Sequence, residues 1–218
     1  WAPRVIARRK ACVVVNGDII DGVHHNTVTQ ISHNLADQFH IAARVLLPLV
    51  KRFRKRVYLI RGTEAHSGKS GQEDVKLSTT LGLAPPQFDM WLNMSGKLLH
   101  FAHHIGAASM LQTETTALVR ELASTLLDSA RWRVGRTPDV IVRSHRHTSA
   151  EIKVQTANGP AVVFCTPGWQ LKTPYCYKLS TAKTSLPQIG GSVIIVDGDD
   201  IIVRHRVHVL KRGKAVVV

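Results

Sequence analysis

The sequence predicts a single layered α/β domain with mixed β-sheets, and three features carry that prediction. Short runs of β-branched and aliphatic residues alternate with helix-period segments through the first two thirds of the chain. Two hairpin patterns, with Asn-Gly and Asp-Gly at their turns, fill much of the last third. A chain of 218 residues, 44% hydrophobic and 20% charged, can bury one sizeable core but not two.

The first element is "VVVNGDIIDGVHH" (13–25), where Val13–Val15 read as a strand buried on both faces and Asn16-Gly17 as its turn. Ile31, Leu35, Phe39, Ala42, Leu46, Val50 and Phe53 recur at helical spacing, with a kink expected at Pro48. "RVYLIRG" (56–62) reads as a strand and "TEAHSGKSGQ" as a glycine-rich loop, followed by a short helix ending near Gly82. "MWLNMSGKLLHFAHH" (90–104) has the pattern of a hairpin turning at 93–96. Leu118, Leu122 and Leu126 mark a longer helix over about 112–131, and "DVIVRSHRH" (139–147) is a strand running into histidines. "AEIKVQTANGPAVVFC" and "SVIIVDGDDIIVRHRV" are the two hairpins. Between them lies the irregular stretch "TPGWQLKTPYCYKLSTAKTSLPQIGG", a candidate functional loop in which Trp169 reads as core, with stacking as the alternative.

Bulk properties narrow the function classes. No apolar run approaches the ~18 residues of a membrane span, and the basic start lacks a signal-peptide core, so no membrane partner is expected. Cys12, Cys165 and Cys176 form no close pair, which argues against a disulfide framework and for a reducing, cytoplasmic setting. The net charge of +14 attracts polyanions, and nucleic acid is the partner it favours. The charge is spread over "RVIARRK", "KRFRKR", "RWRVGR" and "RHRVHVLKRGK". "KRFRKR" closes a helical pattern, where cations complement the negative end of the dipole.

The chemistry concentrates at four strand ends: Asp18 with Asp21, Glu64 with His66, His103 with His104, and His145 with His147. Strands that run side by side bring their ends to one edge of a sheet, so these groups can converge. Carboxylate oxygens mixed with imidazole nitrogens suit zinc, manganese or iron better than calcium. Turn capping explains one such junction, but not four.

The ordered series "GDIIDG", "RGTEAH", "FAHH" and "SHRH" resembles the calcineurin-like metallophosphoesterase superfamily, and "TPGWQLKTPYCYKL" resembles the C-terminal part of its phage and prophage branch. The resemblance spans about 12–180. It implies a four-layer sandwich, two mixed sheets face to face with helices on both outer sides. It also implies a dinuclear centre of two divalent transition metal ions (Mn, Zn or Fe) that hydrolyses phosphoesters. On that pattern Asp18 bridges the ions, His103 and His145 hold the second with Glu64 as fourth ligand, and His147 holds the first. His66 is the implied general acid, oriented and charged by Asp21. His104, beside His103, and Lys172, on the long loop, are candidate substrate contacts, and Thr63 and His104 stand as alternatives to Glu64 and His103 as ligands. His24 and His25 are expected to line the cleft, His100 to be packed structurally, and His33, His40, His205 and His208 to lie on outer faces.

Three departures from the family pattern stand out. The usual first motif, Asp-x-His, is absent, and the resemblance places it with its strand upstream of Trp1. "GTEAH" replaces Gly-Asn-His-Asp/Glu, and Ser144 replaces the glycine before the histidine pair. The expected function is hydrolysis of a phosphodiester, nucleic acid included. The alternative is a catalytically impaired, basic nucleic-acid-binding module on the same fold.

Overall fold

The computed structural model describes residues 11–24, 28, 30–53, 56–106, 113–133, 135–174 and 188–210. In chain order these form β1 (Val13–Asn16), α1 (Leu35–Phe53), β2 (Val57–Ile60), α2 (Glu64–Ser67), α3 (Gln72–Thr80), β3 (Asp89–Met94) and β4 (Lys97–Ala102). They continue with α4 (Thr116–Trp132), β5 (Val140–Arg143), β6 (Ala150–Thr156), β7 (Gly159–Cys165), β8 (Gln188–Asp197) and β9 (Asp200–Val209). His25, Cys176, the first basic run and the segment after Leu210 lie outside the described residues.

The central sheet has five strands in the order β3-β4-β5-β7-β6, with β4, β5 and β7 parallel and the two outer pairs antiparallel. Its layering follows from the period-2 alternation of side chains. Val140 and Val142 of β5, with Val162 and Phe164 of β7, enter one core, joined by Ile60, Met90, Leu99 and Phe101. Val14 and Tyr58 from the β1–β2 pair, and Ile194, Ile201 and Val203 from the β8–β9 hairpin, pack against that core. Ile141, Ala161, Val163 and Cys165 point the other way and are covered by Leu118 and Leu122 of α4. On the far side of β1, Phe39, Ala42 and Leu46 of α1 pack with Ile20 and Leu77. The result is a mixed α/β sandwich as expected, with the layer facing the central sheet made of two separate two-stranded pieces, β1–β2 and β8–β9.

Several expectations need correction. β1 is only half-buried along its length, because among the described strands it pairs with β2 alone. Ile31 lies outside α1 and is 83% exposed. The helix begins later because Asn34 caps it: Asn34 Oδ1 accepts from the Ala36 amide at 2.9 Å. It then runs through Pro48 to Phe53 with Phe39, Ala42, Leu46, Val50 and Phe53 buried. The glycine-rich loop is not irregular throughout, since it holds the single turn α2 and a 3-10 turn at Lys69–Gly71. The last hairpin starts at Gln188, four residues earlier than its aliphatic pattern suggests, and Trp169 is 79% exposed. No described helix is long and apolar enough to cross a membrane.

Candidate metal centre

Parallel pairing sets the site. β1 and β2 run side by side, as do β4 and β5, so the turns after them gather at one end of the molecule. Asp18 leaves the β1 turn, the loop 61–67 leaves β2, His103 and His104 leave β4, and His145 and His147 leave β5. Asp18, His145 and His147 have φ of 48°, 67° and 55°, a left-handed backbone that costs a residue with a Cβ ~1–2 kcal/mol. Strain of this kind persists where the surroundings enforce it, often at functional sites.

Asp18, His103 and His145 bring one ligand-type atom each within 4.8 Å of one another. His103 is held hardest. Its Nδ1 lies 2.6 Å from the Asn16 carbonyl oxygen, which only accepts, so Nδ1 carries the proton. Nε2 of the neutral ring is then a lone pair, and it faces Asp18 Oδ2 at 2.9 Å. Both atoms are buried without a hydrogen-bond partner. Two lone pairs at that distance require a positive charge between or on them, either a proton or a metal ion. Metal–nitrogen and metal–oxygen bonds of about 2.0–2.2 Å put two ligand atoms ~3–3.5 Å apart, slightly wider than this pair, so a shift of a few tenths of an ångström would admit an ion.

The electrostatics agree. Burial works against the Asp18 charge, but His103, then His66 and the Thr63 amide, outweigh it and hold the carboxyl at about 2. Burial also works against charge on His103, and Asp18 reverses it, raising the imidazole above its ordinary value. His145 goes the other way, to about 4, through burial and then the neighbouring His104 and His103. At neutral pH it offers a lone pair. A divalent ion held by these groups would supply the positive charge that the two facing lone pairs require.

A second group of donors lies alongside, Asp21, His24 and His66. His66 Nδ1 sits 2.6 Å from the Asp21 carbonyl oxygen, while the Asp21 carboxylate is 3.9 Å away. The backbone of Asp21 therefore orients the ring, and its side chain supplies charge. That carboxylate is itself engaged by Gln170 Nε2 at 2.6 Å and His24 Nε2 at 3.3 Å. His66 Nε2 faces Asp18 Oδ2 at 3.8 Å, which links the two groups.

The other expected site residues are placed less centrally. Glu64 begins α2, is exposed, and stands outside both donor groups. Thr63 takes the inner position instead: its amide and hydroxyl donate to Asp18 Oδ1 at 2.7 and 3.1 Å. His147 also stands outside the groups but packs against Gly168, with its pKa lowered first by burial. His104 is exposed, with its ring 4.5 Å from that of His145. Lys172 lies half-buried two residues beyond Gln170. A cavity of about 480 Å³ opens beside the centre, lined by Arg61, Thr63, Glu64, Phe88, His103 and His104 among others.

No family model matches the chain, and neither does any curated protein. Solved structures that resemble it include Vacuolar Protein Sorting 29 from Cryptosporidium parvum, with 10% identity, 91% of this chain and 98% of that one covered, and a TM-score of 0.37. Vps29 complexed with zinc from Entamoeba histolytica has 9% identity, coverage of 90% and 97%, and a TM-score of 0.38. A novel archaeal phosphodiesterase has 13% identity, coverage of 81% and 94%, and a TM-score of 0.36. Likeness at this level assigns neither a family nor an activity.

Sequence reasoning missed the supports of the centre. Asn16 holds His103 through its carbonyl, and its side chain donates to Ala102 O at 3.1 Å and Ser144 Oγ at 2.8 Å. Ser144 in turn contacts Thr166 Oγ1 at 2.7 Å, so the residue in the glycine's place has a structural task. The one visible signal was Asn16-Gly17, a turn in which glycine is required. Gly17 has φ +88°, and a Cβ there would run into the His103 ring.

Proposed function

We propose that this chain is a dinuclear metal-dependent phosphoester hydrolase that prefers phosphodiesters. The observation that carries the reading is the 2.9 Å approach of Asp18 Oδ2 and His103 Nε2, both without a hydrogen-bond partner, beside a neutral His145. Asp18, His103 and His145 would hold one ion. Asp18 and His147 would contribute to the other, first position, since His147 lies within the electrostatic reach of Asp18. Bound divalent ions supply the charge that lowers the pKa of a water and neutralises phosphoryl oxygens.

The protein's own groups do the rest. Thr63 fixes the Asp18 carboxylate through Oδ1, leaving Oδ2 turned toward His103 and His66. His66, with Nδ1 anchored on the Asp21 carbonyl, presents Nε2 on the Asp18 side as a proton donor for the leaving alkoxide. The Asp21 carboxylate stands 3.9 Å from Nδ1. His104, exposed on the cavity wall, would meet the substrate. The net charge of +14 favours a polyanionic diester over a small monoester.

The test is hydrolysis of bis- and mono-nitrophenyl phosphate with added Mn or Zn and with chelator. Metal-dependent turnover, faster on the diester, is expected. One observation favours a second reading, a metal-binding module with impaired catalysis: Glu64 stands outside the donor groups and a threonine takes the inner position. Stoichiometric metal uptake with no hydrolysis of either ester would select it.

A further inference from the structure

Two large aromatic side chains near the centre belong to none of the buried clusters. Phe88 is 73% exposed and Trp169 79% exposed. Isolated exposed aromatics need no explanation, but both of these are placed by site contacts.

Phe88 lies on the cavity wall with Thr63, His103 and His104, on the Asp18–His103 flank. The Arg61 guanidinium sits over its ring, 4.7 Å from the centroid. Arg61 is pinned there by Ser70 O at 2.7 Å and Pro86 O at 3.3 Å. Both partners are neutral carbonyls, and among the described residues no carboxylate lies within ion-pair distance of it. A preorganised cation facing a cavity suits a phosphate.

Trp169 lies on the stretch that meets the centre at His147 and Asp21. The residue before it, Gly168, packs against the His147 ring, where an added Cβ would meet Cγ at 3.1 Å. The residue after it, Gln170, donates to Asp21 at 2.6 Å. The Trp169 backbone is therefore fixed on both sides by the site, while its indole stays open to solvent.

We propose that single-stranded nucleic acid crosses this centre, with bases on either side of the scissile phosphate stacked on Phe88 and Trp169, and Arg61 on an adjacent phosphate. The proposal rests on the phosphodiester reading for the position of the backbone. A small monoester reaches only one flank. Duplex bases stack on each other and offer no free face, whereas every unpaired base presents one to an aromatic ring. The excess of positive charge supplies the capture that such a strand needs.

The experiment is fluorescence anisotropy of the full chain, in chelator, with a labelled oligothymidylate and an abasic strand of equal length. Stacking predicts that the base-bearing strand binds more tightly. Phe88→Ala and Trp169→Ala should each weaken it by about 5- to 150-fold while leaving the abasic strand's affinity unchanged. Phe88→Trp should retain it, which guards against a folding artefact. Arg61→Gln should weaken both strands and reduce the salt dependence. Equal binding of the two strands, no binding of either, or equal losses on both in the aromatic variants would overturn the proposal. Hydrolysis is a separate readout. Base-dependent binding without turnover sinks the catalytic reading alone, and turnover without base dependence sinks the stacking alone.

Discussion

Gly17→Ala tests whether the β1 turn is built around His103. An alanine at φ +88° pays the left-handed backbone cost, ~1–2 kcal/mol. Its Cβ would also overlap Nδ1 and Cγ of a His103 that is only 5% exposed, and overpacking a buried site adds ~1–3 kcal/mol. The chain can relieve the overlap by swinging the imidazole away. Doing so breaks its contact with the Asn16 carbonyl and carries Nε2 off Asp18. A total loss of about 2–5 kcal/mol is expected, with metal affinity down ~10–100-fold or more. Gly96→Ala supplies the control, because Gly96 has φ +85° with nothing within 4 Å of an added Cβ. It should show the backbone cost alone and bind metal as the wild type does. Urea unfolding in chelator reads the stability, and calorimetric titration with Mn reads the affinity. Identical behaviour of the two variants in both assays would refute the reasoning.

His66→Ala should keep its metal and lose ~10²–10⁴-fold in rate on an ester with a poor leaving group, and much less on a nitrophenyl ester. Loss of metal would instead make His66 a ligand together with Asp21 and His24. Glu121→Ala strands Arg143, whose side chain is 5% exposed and now ion-paired at 2.7 Å, so a loss of ~1–3 kcal/mol in urea unfolding is expected. An unchanged midpoint would show that His100 and the Val142 carbonyl suffice for the guanidinium. His100 is held below its ordinary value by burial and then by Arg143, which donates to its Nδ1 at 3.3 Å. The unfolded chain therefore binds more protons between the folded pKa and ~6.5, and stability rises with pH across that window. The advantage of the wild type over His100→Gln should shrink on going from pH 7.5 to 5. An advantage that grew on acidification would reverse the assigned direction.

The layers were legible because β5 and β7 are written in continuous apolar runs, as strands buried on both faces are, and α1 and α4 in helix-period leucines and phenylalanines. The donors were legible because each follows a strand run directly, and Asp18, His103 and His145 do meet. The supports were not, because they depend on distant pairing. Gln170 reaches Asp21 across 149 residues, and Asn16 reaches Ser144 across 128, with no spacing rule to reveal either. Composition also hides which charges are spent. Arg136 in "RWRVGR" is committed to both oxygens of Asp139 at 2.8 Å and to Gly96 O, so that run is a weaker anion patch than it reads. The exposed Trp169 defeated the expectation that tryptophan is buried, because its neighbours rather than its own side chain are what the fold needs.

Metal titration of the full chain and of Asp18→Ala and His145→Ala tests the central claim most directly. The wild type should take up Mn or Zn stoichiometrically. Each variant should retain its circular dichroism and lose that uptake. Wild-type stoichiometry in both variants would contradict the account, because the ion would then be held by residues other than these.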